Sequence, residues 1–108
     1  MPDTQQRIDE LVKTNDLVLF MKGNASCPMC GFSGRAIQIL KAVGVDTKAL
    51  KTVNVLEDDG IRQGIKEYSN WPTIPQLYVK GEFIGGSDIM MEMYESGELQ
   101  QVLGATTS

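Results

Sequence analysis

The chain contains no histidine. That absence excludes imidazole general bases, cysteine–histidine dyads and histidine metal ligands together. Cysteine is scarce, with only Cys27 and Cys30. Two cysteines without a secretory signal point to a reducing compartment, where thiols are reactive or metal-binding rather than structural. Basic residues are also short, ten against fourteen acidic ones, for a net charge of −4. With no cationic surplus to displace counterions, a nucleic-acid backbone is excluded as the main partner. Long apolar runs are missing. The longest, Leu17 to Met21, is far too short to span a bilayer. The stretch from Met1 to Asp16 is polar and holds no leader-type apolar core. The expectation is a cytoplasmic protein with no membrane and no nucleic-acid partner.

What is present fits a single domain over residues 1–108. A chain of this length buries roughly 60–70% of its unfolded surface and needs no disulfide staples. No linker, repeat or low-complexity segment interrupts it, and residues from Gly104 to Ser108 read as a loose tail. Ile8, Leu11 and Val12 stand at helical spacing behind a cap at Thr4, which predicts a helix over 4–14. Leu17 to Met21 is continuously apolar, as in a strand buried on both faces. Ala36, Ile39, Leu40 and Val43 follow the helical period and predict a helix from Gly31 to Val43, ending near Gly44. Thr52 to Leu56 alternates and predicts a second strand, and Ile61, Ile65 and Tyr68 mark a third helix. Gln76 to Gly85 reads as a hairpin turning at Lys80-Gly81. Ser87 is a good N-cap and Asp88 suits the positive end of a helix. Ile89, Met90, Met93 and Leu99 supply the apolar face of one or two final helices. The order α-β-α-β-α-β-β-α predicts an α/β fold, a four-stranded mixed sheet flanked by helices, with the first two strands parallel through a right-handed crossover. Spacing alone leaves the strand order open.

The chemistry concentrates between Lys22 and Ser33. This segment joins the first strand to a helix start, where unpaired N–H groups and the positive helix end favour a thiolate. Two registers compete there. Cys27-Pro28-Met29-Cys30 reads as a Cys-x-x-Cys dithiol beside a βαβ unit. Cys30-Gly31-Phe32-Ser33 reads as a single reactive thiol with Ser33 where a resolving cysteine would stand. The plainer alternative is two small buried hydrophobes.

Several motifs stand in order along the chain: Cys30-Gly31-Phe32-Ser33, Ile61-Arg62-Gln63 through Tyr68-Ser69-Asn70, Trp71-Pro72-Thr73-Ile74-Pro75-Gln76, and Gly85-Gly86-Ser87-Asp88. Together, over residues 5 to 103, they resemble the monothiol glutaredoxins of the Cys-Gly-Phe-Ser class. The resemblance implies a thioredoxin-like fold and settles the register. Lys22 to Cys30 spans eight residues, as in that class, so Cys30 is the functional thiol. Cys27 departs from the family pattern, either inert or able to form a disulfide with Cys30. The stretch from Gly44 to Gly60 is a few residues longer than usual and is expected only to lengthen a loop.

The resemblance also implies a glutathione site. Lys22 and Arg62 would pair the glycine carboxylate, and Thr73, Ile74 and the cis-proline Pro75 would present backbone to the peptide. Ser87 and Asp88, supported by Gly86, would receive the γ-glutamyl end, with the N–H groups of Ser87 and Asp88 for its carboxylate and the Asp88 side chain for its amine. Each of these residues also has an ordinary reading: a solvated charge, a turn proline, a simple cap. Trp71 is expected to pack and support the loop rather than touch ligand, and Phe32 to pack beside the thiol, with Gly31 and Ser33 completing the helix start. Met90, Met91 and Met93 are core and surface filler rather than a copper site.

A two-iron cluster takes four thiolates. The resemblance implies that Cys30 is the metal ligand and that glutathione supplies a second thiolate. Two protomers then complete the set, giving a homodimer bridged by a [2Fe-2S] cluster. BolA-like proteins and apo iron–sulfur clients are the partners implied, and cluster storage and transfer the function. The alternative is glutathione-dependent thiol–disulfide exchange through Cys30. A third reading is a regulatory module signalling cluster state to a partner.

Overall fold

The computed structural model describes residues 4–46 and 50–107. Along them run α1 (Thr4–Thr14), β1 (Leu17–Met21), α2 (Gly31–Ala42), β2 (Lys51–Asn54), α3 (Asp59–Ser69), β3 (Gln76–Val79), β4 (Glu82–Gly85), α4 (Ser87–Ser96) and α5 (Glu98–Thr107). The sheet order is β2-β1-β3-β4. β1 pairs β2 in parallel, Leu19 opposite Thr52, and pairs β3 antiparallel, Leu19 opposite Leu77. The mixed four-stranded sheet flanked by helices is therefore as expected from the sequence.

The continuous apolar run of β1 divides the interior in two, because successive side chains point to opposite faces. Val18 and Phe20 join Ile8 and Val12 of α1, Ile61 and Ile65 of α3, and Tyr78 of β3. Leu19 and Met21 join Ala36, Ile39 and Leu40 of α2, Met90 of α4, and Leu99 and Leu103 of α5. Each such buried side chain contributes about 1.5–3 kcal/mol relative to exposure. On the first face α1 and α3 approach closely over Gly64. A Cβ there would come within 2.7 Å of Thr4 Cγ2 and 3.0 Å of Ile8 Cδ1.

Local details differ from the sequence expectations. α1 begins at Thr4 itself, so Thr4 is inside the helix rather than its cap. The second strand is Lys51–Asn54, one residue earlier at its start and two at its end than expected. After it the chain turns, and Leu56 N–H donates to Asn54 Oδ1. α2 stops at Ala42, with Val43 as its C-cap. Asp58 caps α3 by accepting from Ile61 N–H at 3.1 Å. The expectation of a merely longer loop over 44–60 falls partly on residues outside those described; the rest carries β2 and this cap. The hairpin turns at Lys80 and Gly81, both with positive φ (51° and 83°), which suits a two-residue turn between twisted strands. Two separate helices close the chain, and the second is helical through Thr107 instead of loosening at Gly104. No described helix is long and apolar enough to cross a membrane.

Candidate functional site

β1 delivers the chain at Lys22 to the carboxyl end of the parallel strand pair. The next residues fold back tightly. Met29 N–H donates to Lys22 O at 2.9 Å, and Gly23 N–H donates to Asn54 Oδ1 at 3.0 Å. Asn24 closes the tip, its Oδ1 accepting from Cys27 N–H at 2.8 Å. Gly23 is required: its φ is +89°, and a Cβ would meet Cys27 O at 2.5 Å and Met29 N at 2.6 Å. The fold-back places Cys30 at the N-cap of α2, in extended conformation.

Cys30 is half-buried and Cys27 is exposed, and both are free thiols. Partial burial pushes the Cys30 thiol up. The N–H groups of Ser33 and Phe32, the Ser33 hydroxyl and the Lys22 charge outweigh that and hold it below the ordinary thiol value. Ser33 is fully buried, and its Oγ also accepts from Lys22 N–H at 3.0 Å. One hydroxyl thus ties the end of β1 to the first turn of α2 and favours thiolate at Cys30.

Beside the thiol lies a cavity of about 350 Å³ between the starts of α2 and α4, the α3 helix and the loop before β3. The structure brings Lys22, Arg62, Trp71, Thr73, Ile74 and Pro75 to its wall, with Gly86, Ser87 and Asp88 at the α4 end. The Ile74–Pro75 bond is cis. Cys30 and Gly31 border a shallower groove next to it, with Pro28, Met29 and Arg35. Phe32 is 57% exposed and lines the cavity. The Trp71 ring stands 5.9 Å from that of Phe83, and it also lines the cavity. Lys66 lines the cavity too and was missed. It stands one helical turn after Arg62, so the i, i+4 spacing carried the signal.

The α4 end corrects one expectation. Ser87 is the first helical residue, and Gly86 is the N-cap. Gly86 takes this place at close quarters, since a Cβ there would stand 3.2 Å from Pro75 O. The Ser87 hydroxyl is buried and has no hydrogen-bond partner among the described residues. Asp88 is exposed and lies 3.9 Å from Arg35 Nη1. The cavity therefore has cations from Lys22, Arg62 and Lys66, and a helix start with an unpaired hydroxyl. Both attract carboxylates. Met90 is core, and Met91 and Met93 pack partly against it. Among the described residues no three His, Cys, Asp or Glu side chains cluster to hold a metal ion.

A helix-start thiol at the end of a buried strand, beside a cis-proline loop on this sheet, defines the thioredoxin-like class of thiol proteins. The glutaredoxin family profile matches residues 17–84. The chain belongs to the glutaredoxin family, among its monothiol members. It is 58% identical over 102 residues to an uncharacterized ycf64-like monothiol glutaredoxin of Synechocystis, covering 94% of this chain and 92% of the relative. It is 56% identical over 100 residues to the mitochondrial monothiol glutaredoxin-5 of Schizosaccharomyces pombe, covering 93% and 68%. The solution structure of reduced apo GrxS14 from poplar superposes with a TM-score of 0.81 at 50% identity, covering 100% of this chain and 97% of that one. The crystal structure of a buckwheat glutaredoxin–glutathione complex superposes with a TM-score of 0.81 at 26% identity, covering 94% and 88%.

Proposed function

We propose that the protein binds glutathione in this cavity and, as a homodimer, carries a [2Fe-2S] cluster for storage and transfer to apo-proteins. One observation carries the glutathione reading: the buried, unpartnered Ser87 hydroxyl at the start of α4. A buried hydroxyl without a partner is costly, and a carboxylate held by the α4 N–H groups would satisfy it. The rest of the cavity fits the same peptide. Lys22, Arg62 and Lys66 suit the glycine carboxylate, Thr73 and Ile74 offer backbone to an extended chain, and Asp88 suits the amine. That glutathione would supply a thiolate beside Cys30. The buckwheat complex supports this use of the fold.

The cluster is cargo. It needs four thiolates, and Cys30 with one glutathione provides half of them, so a second copy completes the set. Ligands held without a covalent bond exchange readily, which suits handover to apo iron–sulfur clients in the cytoplasm, with BolA-like proteins as heterodimer partners. A second reading, glutathione-dependent thiol–disulfide exchange, is supported by the same thiolate-favouring surroundings of Cys30.

Anaerobic reconstitution with iron, sulfide and glutathione tests the first reading. A coloured dimer that requires glutathione, is lost in Cys30→Ser and is kept in Cys27→Ser is the expected result. A colourless monomer that turns over a glutathionylated substrate would move the protein to the oxidoreductases.

A further inference from the structure

The loop that forms the cavity floor, Trp71 to Pro75, contains two prolines and so is short of N–H groups to bind its own carbonyls. Two of those carbonyls are taken by one side chain. Gln76 Nε2 donates to Trp71 O at 3.2 Å and to Thr73 O at 3.1 Å. Gln76 is the first residue of β3, opposite Phe20 of β1, and it is fully buried. A polar amide at such a position is costly unless every group on it is paired. It is paired: Tyr78 O–H, two residues on and on the same face, donates to Gln76 Oε1 at 3.3 Å. That third bond fixes which way the amide points, so that its two protons face the loop. The Tyr78 ring is itself held, 5.7 Å from Phe20 and 5.4 Å from Phe83 between centroids. Phe83 in turn packs on Trp71. Loop and amide thus rest on one aromatic cluster.

We infer that Gln76 is a positioning residue for ligand binding, a buried strut that holds the Trp71–Pro75 loop in its peptide-receiving shape. No apolar residue can donate to the two carbonyls, an ionised glutamate would repel both, and asparagine is one methylene short of the reach. Without the strut the loop must be ordered each time a ligand binds, and that ordering is subtracted from affinity. The thiol, by contrast, is set by Ser33, Phe32 and Lys22, whereas the Gln76 amide bonds run to Trp71, Thr73 and Tyr78. Loss of the strut therefore weakens ligand binding and leaves thiol reactivity alone.

This inference rests on the glutathione reading, and the test separates the two. Glutathione is titrated into the full chain and its variants by calorimetry, and alkylation of Cys30 by iodoacetamide is timed in parallel in a Cys27→Ser background. Gln76→Met, which keeps the volume, should bind glutathione about tenfold more weakly with Cys30 alkylated at the unchanged rate. Tyr78→Phe removes only the orienting hydroxyl and should weaken binding in the same direction by about threefold, which keeps the test open should Gln76→Met fail to fold. Wild-type affinity in both variants overturns the inference and leaves the glutathione reading standing. So does an alkylation rate that falls in step with affinity, the mark of general damage. A wild-type chain that takes up no glutathione overturns both.

Discussion

Replacing Ser33 by Ala removes one oxygen that serves two partners. Its Oγ accepts from Lys22 N–H at 3.0 Å, and its hydroxyl favours the charged form of Cys30. The side chain is fully buried, so water does not take its place readily. An N–H left without a partner costs about 1–3 kcal/mol. For a domain of about 100 residues that lowers the melting temperature by roughly 5–20 °C. The second partner predicts a separate effect. With one fewer group favouring thiolate, the Cys30 titration moves up, and alkylation below the ordinary thiol range slows. Both are read in the Cys27→Ser background, by thermal melts and by alkylation rate against pH. An unchanged melt refutes the tie between β1 and α2. A lowered melt with an unchanged alkylation profile refutes the role assigned to the hydroxyl at the thiol.

Gly23→Ala drives a Cβ into Cys27 O and Met29 N at a positive φ, and should cost at least about 2 kcal/mol in a denaturant titration. Gly64→Ala pushes α1 from α3 through Thr4 and Ile8; overpacking of this kind costs about 1–3 kcal/mol, with no change in Cys30 alkylation. The folded state depresses the Cys30 titration, so the thiol contributes stability that is complete above the ordinary value of 9.0 and is lost as pH falls through the folded value. The melting difference between wild type and Cys30→Ser should therefore grow as pH rises toward 9.0. Burial pushes Tyr68 and Tyr78 from 10.0 to about 12. Their contribution is complete below 10.0 and is lost as pH rises through about 12, so ultraviolet titration should show two tyrosines ionising late and together with alkaline unfolding.

Much of this arrangement is legible in the residues, for identifiable reasons. The unbroken run Leu17–Met21 and the helical period of Ala36, Ile39 and Leu40 reflect burial that any packing of these elements would demand; the strand falls where expected and the helix ends one residue earlier. The helix-start position of Cys30 is equally local. Strand order was not legible, because the crossover helices reach either neighbour. Lys66 escaped because a lysine on a helix reads as a solvated charge unless its i, i+4 spacing to Arg62 is noticed. Ser87 has strong N-cap preference, yet Gly86 holds that place, where a Cβ would stand in tight contact, 3.2 Å from Pro75 O. In the sequence Gln76 only ends a motif and starts a hairpin; its bonds to the two loop carbonyls show only in the fold.

The central claim is that Cys30 and glutathione share a cluster between two copies of the chain. Native mass spectrometry of anaerobically reconstituted protein counts the ligands directly. Four thiolates per cluster with one protein thiol per chain predict a species of two chains, one [2Fe-2S] unit and two glutathiones, which vanishes in Cys30→Ser. A cluster-bearing species without glutathione, or one that persists in Cys30→Ser, would contradict the account.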